Sequence, residues 1–218
     1  MTQRSGARGH RDCRYKHRLK VSCALAAILL ATAVGAAEPV PYQIEPSNGS
    51  RFALEVFKTG LMRGKKHLFE FERYKGRLDY DAQAPERSRV TLQIEAASAV
   101  LKDDWVSAND FKKIEKEAFE KMMAVDRYPQ LTFVSRNIRS EEAGRYQMEG
   151  DLTIRETPKP VMLEVTLKPQ SGGVLLVEGQ ATVKLKDYGL KPPSAALGLI
   201  GTQNEMTVAF TLRARPAP

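Results

Sequence analysis

The chain has 218 residues, with 34 Lys and Arg against 26 Asp and Glu, a formal net charge of +8. Residues 1–37 hold seven of those basic residues and one acid, so the remainder carries 27 against 25, a net +2, and leaves no basic stripe of the kind that tracks a nucleic-acid backbone. Both cysteines, Cys13 and Cys23, also lie in that first segment, which excludes a disulfide framework from the rest.

In chain order, the first element is a leader. Arg4, Arg8, Arg11, Arg14, Lys16, Arg18 and Lys20 precede a largely apolar run from Val21 to Val34, then Gly35-Ala36-Ala37. That order of basic region, apolar region and small residues predicts a cleaved secretory signal peptide over residues 1–37, cut after Ala36 or Ala37. The run is shorter than the ~20 residues a membrane-spanning helix needs; an uncleaved anchor is the alternative. Export would place the remaining residues 38–218, as one domain, in an oxidising compartment. About 180 residues are enough to bury roughly 70% of the unfolded surface without disulfides.

From Phe52 onward most of the chain reads with period two. Phe52, Leu54 and Val56 alternate with Ala53 and Glu55. His67, Phe69, Phe71 and Arg73 share a face, and Val90, Leu92 and Ile94 form the next run. After an interruption come Leu131 and Phe133, then Tyr146, Met148, Leu152 and Ile154. Val161 to Leu167, Ala181 to Leu185 and Met206 to Leu212 complete the series. Such alternation predicts half-buried antiparallel strands. Many short strands with turn residues between them predict a sandwich or a barrel. The interruption is helical: Phe111, Ile114, Ala118 and Met122 recur at helical spacing from Asn109 to Met123. Ser107 or Asn109 is the expected cap, and Pro129 stands beyond the end.

Chemistry-bearing groups are few. His67 is the one histidine after residue 37, and no G-x-S-x-G, H-E-x-x-H, P-loop or G-x-G-x-x-G pattern occurs. Asp103-Asp104 are neighbours whose side chains would point apart on an extended chain, so a solvated turn is expected rather than a shared acid pair. His67, beside Phe69 and Phe71, reads as an inward or rim histidine, or as a polar hook for a ligand head group in an apolar pocket. A β-rich exported chain without a catalytic set is expected to hold a ligand rather than convert one.

Several stretches resemble the YceI-like family of periplasmic lipid- or polyisoprenoid-binding proteins. They are Tyr42-Gln43-Ile44-Glu45-Pro46, Gly76-Arg77-Leu78-Asp79-Tyr80-Asp81 and Ile94-Glu95-Ala96-Ala97-Ser98. The sharpest are Arg127 to Ser135 (RYPQLTFVS), Gly150 to Arg155 (GDLTIR) and Lys159-Pro160-Val161. The resemblance implies an all-β, mainly antiparallel fold, an extended lipocalin-like β-barrel of about eight strands with one amphipathic helix. It implies a long isoprenoid or acyl chain in the lumen and no enzymatic activity. Three positions depart from the family pattern. Asn48-Gly49-Ser50 stands where His-Ser is common, Glu156 replaces a turn glycine, and Lys186-Asp187-Tyr188-Gly189 replaces Arg-Ser-Asp-Phe-Gly.

The last connection, "DYGLKPPSAALGLIGT" from Asp187 to Thr202, is unusually apolar for a loop. It is expected either to close over the ligand or to plug the barrel. The expected ligand-binding residues are Phe52, Leu54, Val56, His67, Phe69, Phe71, Leu131 and Phe133, with Leu190, Leu197, Leu199 and Ile200 from this loop. Phe111 and Phe119 are expected to be core. No metal or covalent cofactor is expected; the ligand would be an isoprenoid quinone, a polyprenyl lipid or an acyl chain. Transient contact with a membrane surface or a membrane redox protein, and a homodimer, stay open. The alternatives are a stress-response or interaction protein with a self-filled barrel, and an accessory presenting quinone to a membrane redox partner.

Overall fold

The computed structural model describes residues 38–142 and 144–218; the expected leader lies outside the described residues. The strands are β1 (Val40–Ile44), β2 (Arg51–Gly60), β3 (Lys66–Phe71), β4 (Tyr74–Tyr80), β5 (Arg89–Glu95) and β6 (Ala99–Leu101). They continue as β7 (Gln130–Glu142), β8 (Arg145–Ile154), β9 (Thr157–Pro169), β10 (Leu175–Lys184), β11 (Ser194–Ala195) and β12 (Ile200–Pro216).

These segments build eight staves, because three staves are broken. β1 and β2 both run along β12 on one side, with β1 pairing β4 and β2 pairing β3 on the other. β3 pairs β6 while β4 pairs β5, so β3–β4 and β5–β6 are likewise one interrupted stave each. From there β7, β8, β9, β10 and β12 follow as antiparallel neighbours, and β12 returns to β1 and β2. Every stave therefore neighbours the next in sequence and the last neighbours the first. The ring is an antiparallel eight-stave barrel without a free edge along its wall.

The breaks have a chemical cause. Around residues 72–73 and 96–98 the regular ladder gives way to isolated backbone bonds, the Glu72 amide to the Ser98 carbonyl at 3.2 Å and the Glu95 amide to the Arg73 carbonyl at 3.0 Å, together with bonds through one buried serine side chain. Ser98 Oγ accepts from the Arg73 amide at 3.1 Å and donates to the Glu95 carbonyl at 2.7 Å. The break also exchanges parity, so Tyr74 turns inward and Arg73 does not. The expectation that Arg73 shares the face of His67 fails for this reason: its guanidinium lies outside, donating to both Glu95 oxygens at 2.7 Å. A bulge between Ser135 and Asn137 shifts β7 in the same way, so that Ile138 is buried after Phe133.

Two glycines keep the wall thin where aromatic rings lie against it. A Cβ at Gly150 would sit 2.4 Å from the Phe133 ring and 2.6 Å from the Val134 carbonyl oxygen; one at Gly179 would sit 2.5 Å from the Phe210 ring. Gly150→Val is expected to cost about 1–3 kcal/mol through overpacking, read as a Tm several degrees lower. An unchanged Tm would mean that the Phe133 ring and the β7 backbone at Val134 both give way without cost.

The helix, α1 (Ala108–Lys116), starts at Ser107, whose Oγ accepts from the Asp110 amide at 3.2 Å. It widens into a π-helical turn over Glu117–Met123 and stops at Ala124, which is left-handed at φ 49°. It occupies the connection from β6 to β7, at the same end of the barrel as the β2–β3, β8–β9 and β10–β12 connections. No helix among the described residues is long and apolar enough to cross a membrane.

Candidate ligand-binding site

The inward positions of all eight staves enclose one elongated apolar cavity of about 410 Å³. It reaches from Tyr80, Pro85, Ser88 and Tyr146 at the end away from the helix to Lys58, Pro193, Ser194 and Thr202 at the helix end. Ile114, Ala118, Met122 and Met123 of the helix form part of its wall. Phe111 and Phe119 pack on the core and do not line it.

Nine of the expected residues meet in this cavity: Phe52, Leu54, Val56, His67, Phe69, Phe71, Leu131, Phe133 and Leu190. Leu197, Leu199 and Ile200 do not line it. The apolar loop divides instead. In its first half Tyr188 donates to the Leu152 carbonyl at 3.2 Å, and Tyr188 and Leu190 pack with Val183, Leu185 and Met206 as a second small core. In its second half β11 pairs with Ile200 and Gly201, and the backbone then turns left-handed at Ala196 (φ 49°) and Leu197 (φ 54°). That turn throws Leu197 wholly into solvent and leaves Leu199 59% exposed.

The lining is apolar except near its ends. At the helix end, His67 Nδ1 lies 2.5 Å from Asp103 Oδ2, and the Leu68 amide donates to Asp103 Oδ1 at 2.9 Å. The Asp103 side chain is 1% exposed. The solvated-turn reading therefore holds for Asp104, which is exposed, and not for Asp103. Trp105 stacks on the His67 ring at 5.3 Å and donates its indole N–H to the Lys66 carbonyl at 3.1 Å. With Nδ1–H donating to the carboxylate, the second ring nitrogen is an acceptor in the neutral ring and a donor in the cation.

Lys58 lines the same end, and burial holds its ammonium below the ordinary lysine range, partly offset by Asp103. It continues the alternation of Phe52, Leu54 and Val56, so the period of the strand places it; Asp103 carries no such signal. At the far end burial, reinforced by the Tyr146 hydroxyl, pushes the Tyr80 phenol up to about 12. It stays a hydrogen-bond donor at neutral pH.

The YceI-like domain model matches residues 42–214. The chain belongs to the YceI-like family. The UPF0312 protein of Pseudomonas savastanoi pv. phaseolicola is 27% identical over 181 residues, covering 78% of this chain and 88% of its own. That of Ectopseudomonas mendocina is 30% identical over 189 residues, covering 81% and 94%. Among solved structures, BcnA of Burkholderia cenocepacia matches with a TM-score of 0.59 at 19% identity, over 76% of this chain and 96% of that one. A polyisoprenoid binding domain from Saccharophagus degradans matches with 0.55 at 12% identity, over 80% and 98%. At such identities the likeness to both structures is one of fold.

Two departures of this YceI-like domain now have a structural description. Glu156 adopts φ 63° beside Arg155 at φ 51°, so the β8–β9 hairpin keeps a left-handed pair without glycine. Lys186 to Tyr188 form part of a tight 3-10 turn ended by Gly189 at φ 70°. Among the described residues no three His, Cys, Asp or Glu side chains group as metal ligands.

Proposed function

We propose that this YceI-like protein is a non-catalytic periplasmic carrier or store that holds one long-chain amphiphile in its barrel. The chain would be isoprenoid or acyl, as in an isoprenoid quinone or a polyprenyl lipid. The observation that carries this reading is the continuous apolar cavity of about 410 Å³. It falls in the ~300–1,000 Å³ range of ligand pockets, whereas a self-filled barrel would leave no such space. The polyisoprenoid binding neighbour from Saccharophagus degradans shares the fold and supports the same reading.

The orientation follows from the lining. The tail occupies the apolar length, and the head group lies at the helix end beside Lys58 and His67, where charged and polar side chains gather. Burial contributes about 0.8 kcal/mol per methylene, hence ~4 kcal/mol per five-carbon isoprene unit. Three or four buried units then offset the ~4–15 kcal/mol cost of association.

Organic extraction and mass spectrometry of protein purified from its native envelope without detergent tests this. A near-stoichiometric isoprenoid or acyl species is the expected result and names the ligand. Folded protein that yields no lipid and also fails to load with quinone and polyprenyl lipids would end the carrier reading.

A further inference from the structure

We infer that two loops at the helix end of the cavity form a docking tip for the surface of an anionic lipid bilayer. The loops are the β2–β3 turn, residues 60–66, and the second half of the β10–β12 connection, residues 194–201.

The loops are built as one unit. The Leu61 amide donates to the Leu199 carbonyl at 3.0 Å. Gly60 makes that approach feasible, since a Cβ there would lie 2.1 Å from the Leu199 carbonyl oxygen. Ile200 and Gly201 pair with Gly60 and Thr59. Together they present Leu61 at 75% exposure, Leu199 at 59% and Leu197 fully exposed. Three large aliphatic side chains on two linked turns form an apolar patch of the kind that marks a contact surface.

The backbone adds a second, independent observation. Ala196 and Leu197 are both left-handed, a conformation that costs a residue with a Cβ roughly 1–2 kcal/mol. That strain holds a leucine out in water instead of releasing it into the core, and strain retained at an exposed position points to use.

Charge decides what the patch meets. Residues 56–66 and 188–202 contain no acid; they contain Arg63, Lys65 and Lys191 around the leucines, besides Lys58 in the cavity and Lys66 paired with Glu55. Arg63, Lys65 and Lys191 are exposed. The neighbouring helix differs, because three of its four lysines are matched within it: Lys113 with Asp110, Lys121 with Glu117, Lys116 with Glu120. An apolar tip with exposed cations that form no ion pair among the described residues, Lys65 lying over the Trp105 ring at 5.4 Å, fits a bilayer whose headgroups are anionic, where each Lys or Arg and each inserted side chain adds attraction.

The position explains the purpose. Ser194, Ala195 and Thr202 line the cavity while Leu197 and Leu199, a few residues away, face out. A tip seated in the headgroup layer would open the cavity toward the acyl region, so that the lipid exchanges without crossing water. This role rests on the carrier reading. The binding itself is measured whatever the lumen holds, so an unloaded lumen and a tip that ignores membranes fail separately.

The test is flotation of the protein with vesicles of phosphatidylethanolamine and phosphatidylglycerol, against vesicles of phosphatidylcholine alone. Wild type is compared with L61S/L197S/L199S and with R63E/K65E/K191E. All three share the same N-terminus, so the difference reports the tip, and unchanged Tm values confirm folding at these exposed positions. Expected is flotation with the anionic vesicles that weakens with salt. It falls more than about tenfold in the serine variant, and by roughly fivefold or more per reversed cation in the glutamate variant. Variants that float like wild type, equal binding to phosphatidylcholine, or a wild type that binds no vesicle would each overturn the proposal. The last outcome, with capture of a membrane protein in the serine-sensitive position, would assign the tip to a protein partner.

Discussion

Replacing Ala181 with phenylalanine is expected to empty the barrel of lipid while leaving it folded. Ala181 sits on β10 between Leu163 of β9 and Val208 of β12, and all three line the cavity. Its methyl is one of the smallest groups on the lumen wall, so a ring there projects into mid-channel from a rigid ladder. In a packed core such enlargement costs about 1–3 kcal/mol through strain. Here the ring enters open space, and its own burial offsets much of that cost. The lipid recovered by extraction is expected to fall from near stoichiometric to less than about a tenth, a change in the bound-to-free ratio of roughly 80-fold or more that corresponds to losing about 2.6 kcal/mol or more of binding. The Tm is expected to stay within a few degrees. Full lipid content in the folded variant would mean that the chain lies somewhere other than the lumen. A large fall in Tm with no lipid would leave the blockade unproven, and Val208→Phe across the same level would then be the comparison.

The second large effect is expected from Asp103→Ala. The carboxylate is almost wholly enclosed and serves two donors, His67 Nδ1 and the Leu68 amide. Its removal leaves both donors without a partner inside the wall, at about 1–3 kcal/mol for each unsatisfied buried donor, or about 2–6 kcal/mol together. For a domain of this size that is a fall in Tm of roughly 4–24 °C. H67F/D103L, which removes both partners and refills the space, is expected to recover a substantial part of the loss, measured by urea or thermal unfolding. Asp103→Ala with unchanged stability would show that the carboxylate reaches water. A double variant no better than the single one would place the loss on the Leu68 amide instead of the histidine.

The inward face of the barrel was legible because period two survives within each strand segment that carries no bulge or break. Phe52 to Val56, Val90 to Ile94, Val161 to Leu167 and Met206 to Leu212 all reach the cavity as their alternation implies. What alternation cannot carry is a change of parity. β1 and β4 were visible only as family-like motifs, and Arg73 was placed on the wrong face, because the breaks at residues 72–73 and 96–98 depend on the hydroxyl of Ser98 reaching across two staves. Asp103 looked like surface because its partner is 36 residues earlier in the chain. Leu197 and Leu199 looked like interior because they are leucines; their exposure follows from a left-handed turn at Ala196 that no residue type announces. Leu190, in the same stretch, did turn inward, because Gly189 ends the 3-10 turn and the Leu190 amide donates to the Leu185 carbonyl at 3.0 Å.

The register that joins the first stave to the last also sets when the protein can begin to work. Tyr42 faces Pro216 and Phe52 faces Phe210 across that seam. Before β12 is in place there is an open, curling sheet and no enclosed space, so a chain still emerging from synthesis has nowhere to keep a lipid. Pairing across nearly the whole sequence is slow, since the entropy of closing so long a loop is spent before the contacts reward it. During that interval the residues that will line the cavity are exposed together on one face of a sheet with two unpaired edges. Under the proposed carrier function a ligand must then enter a finished vessel, and the interval before closure is when the apolar lining is most exposed to aggregation.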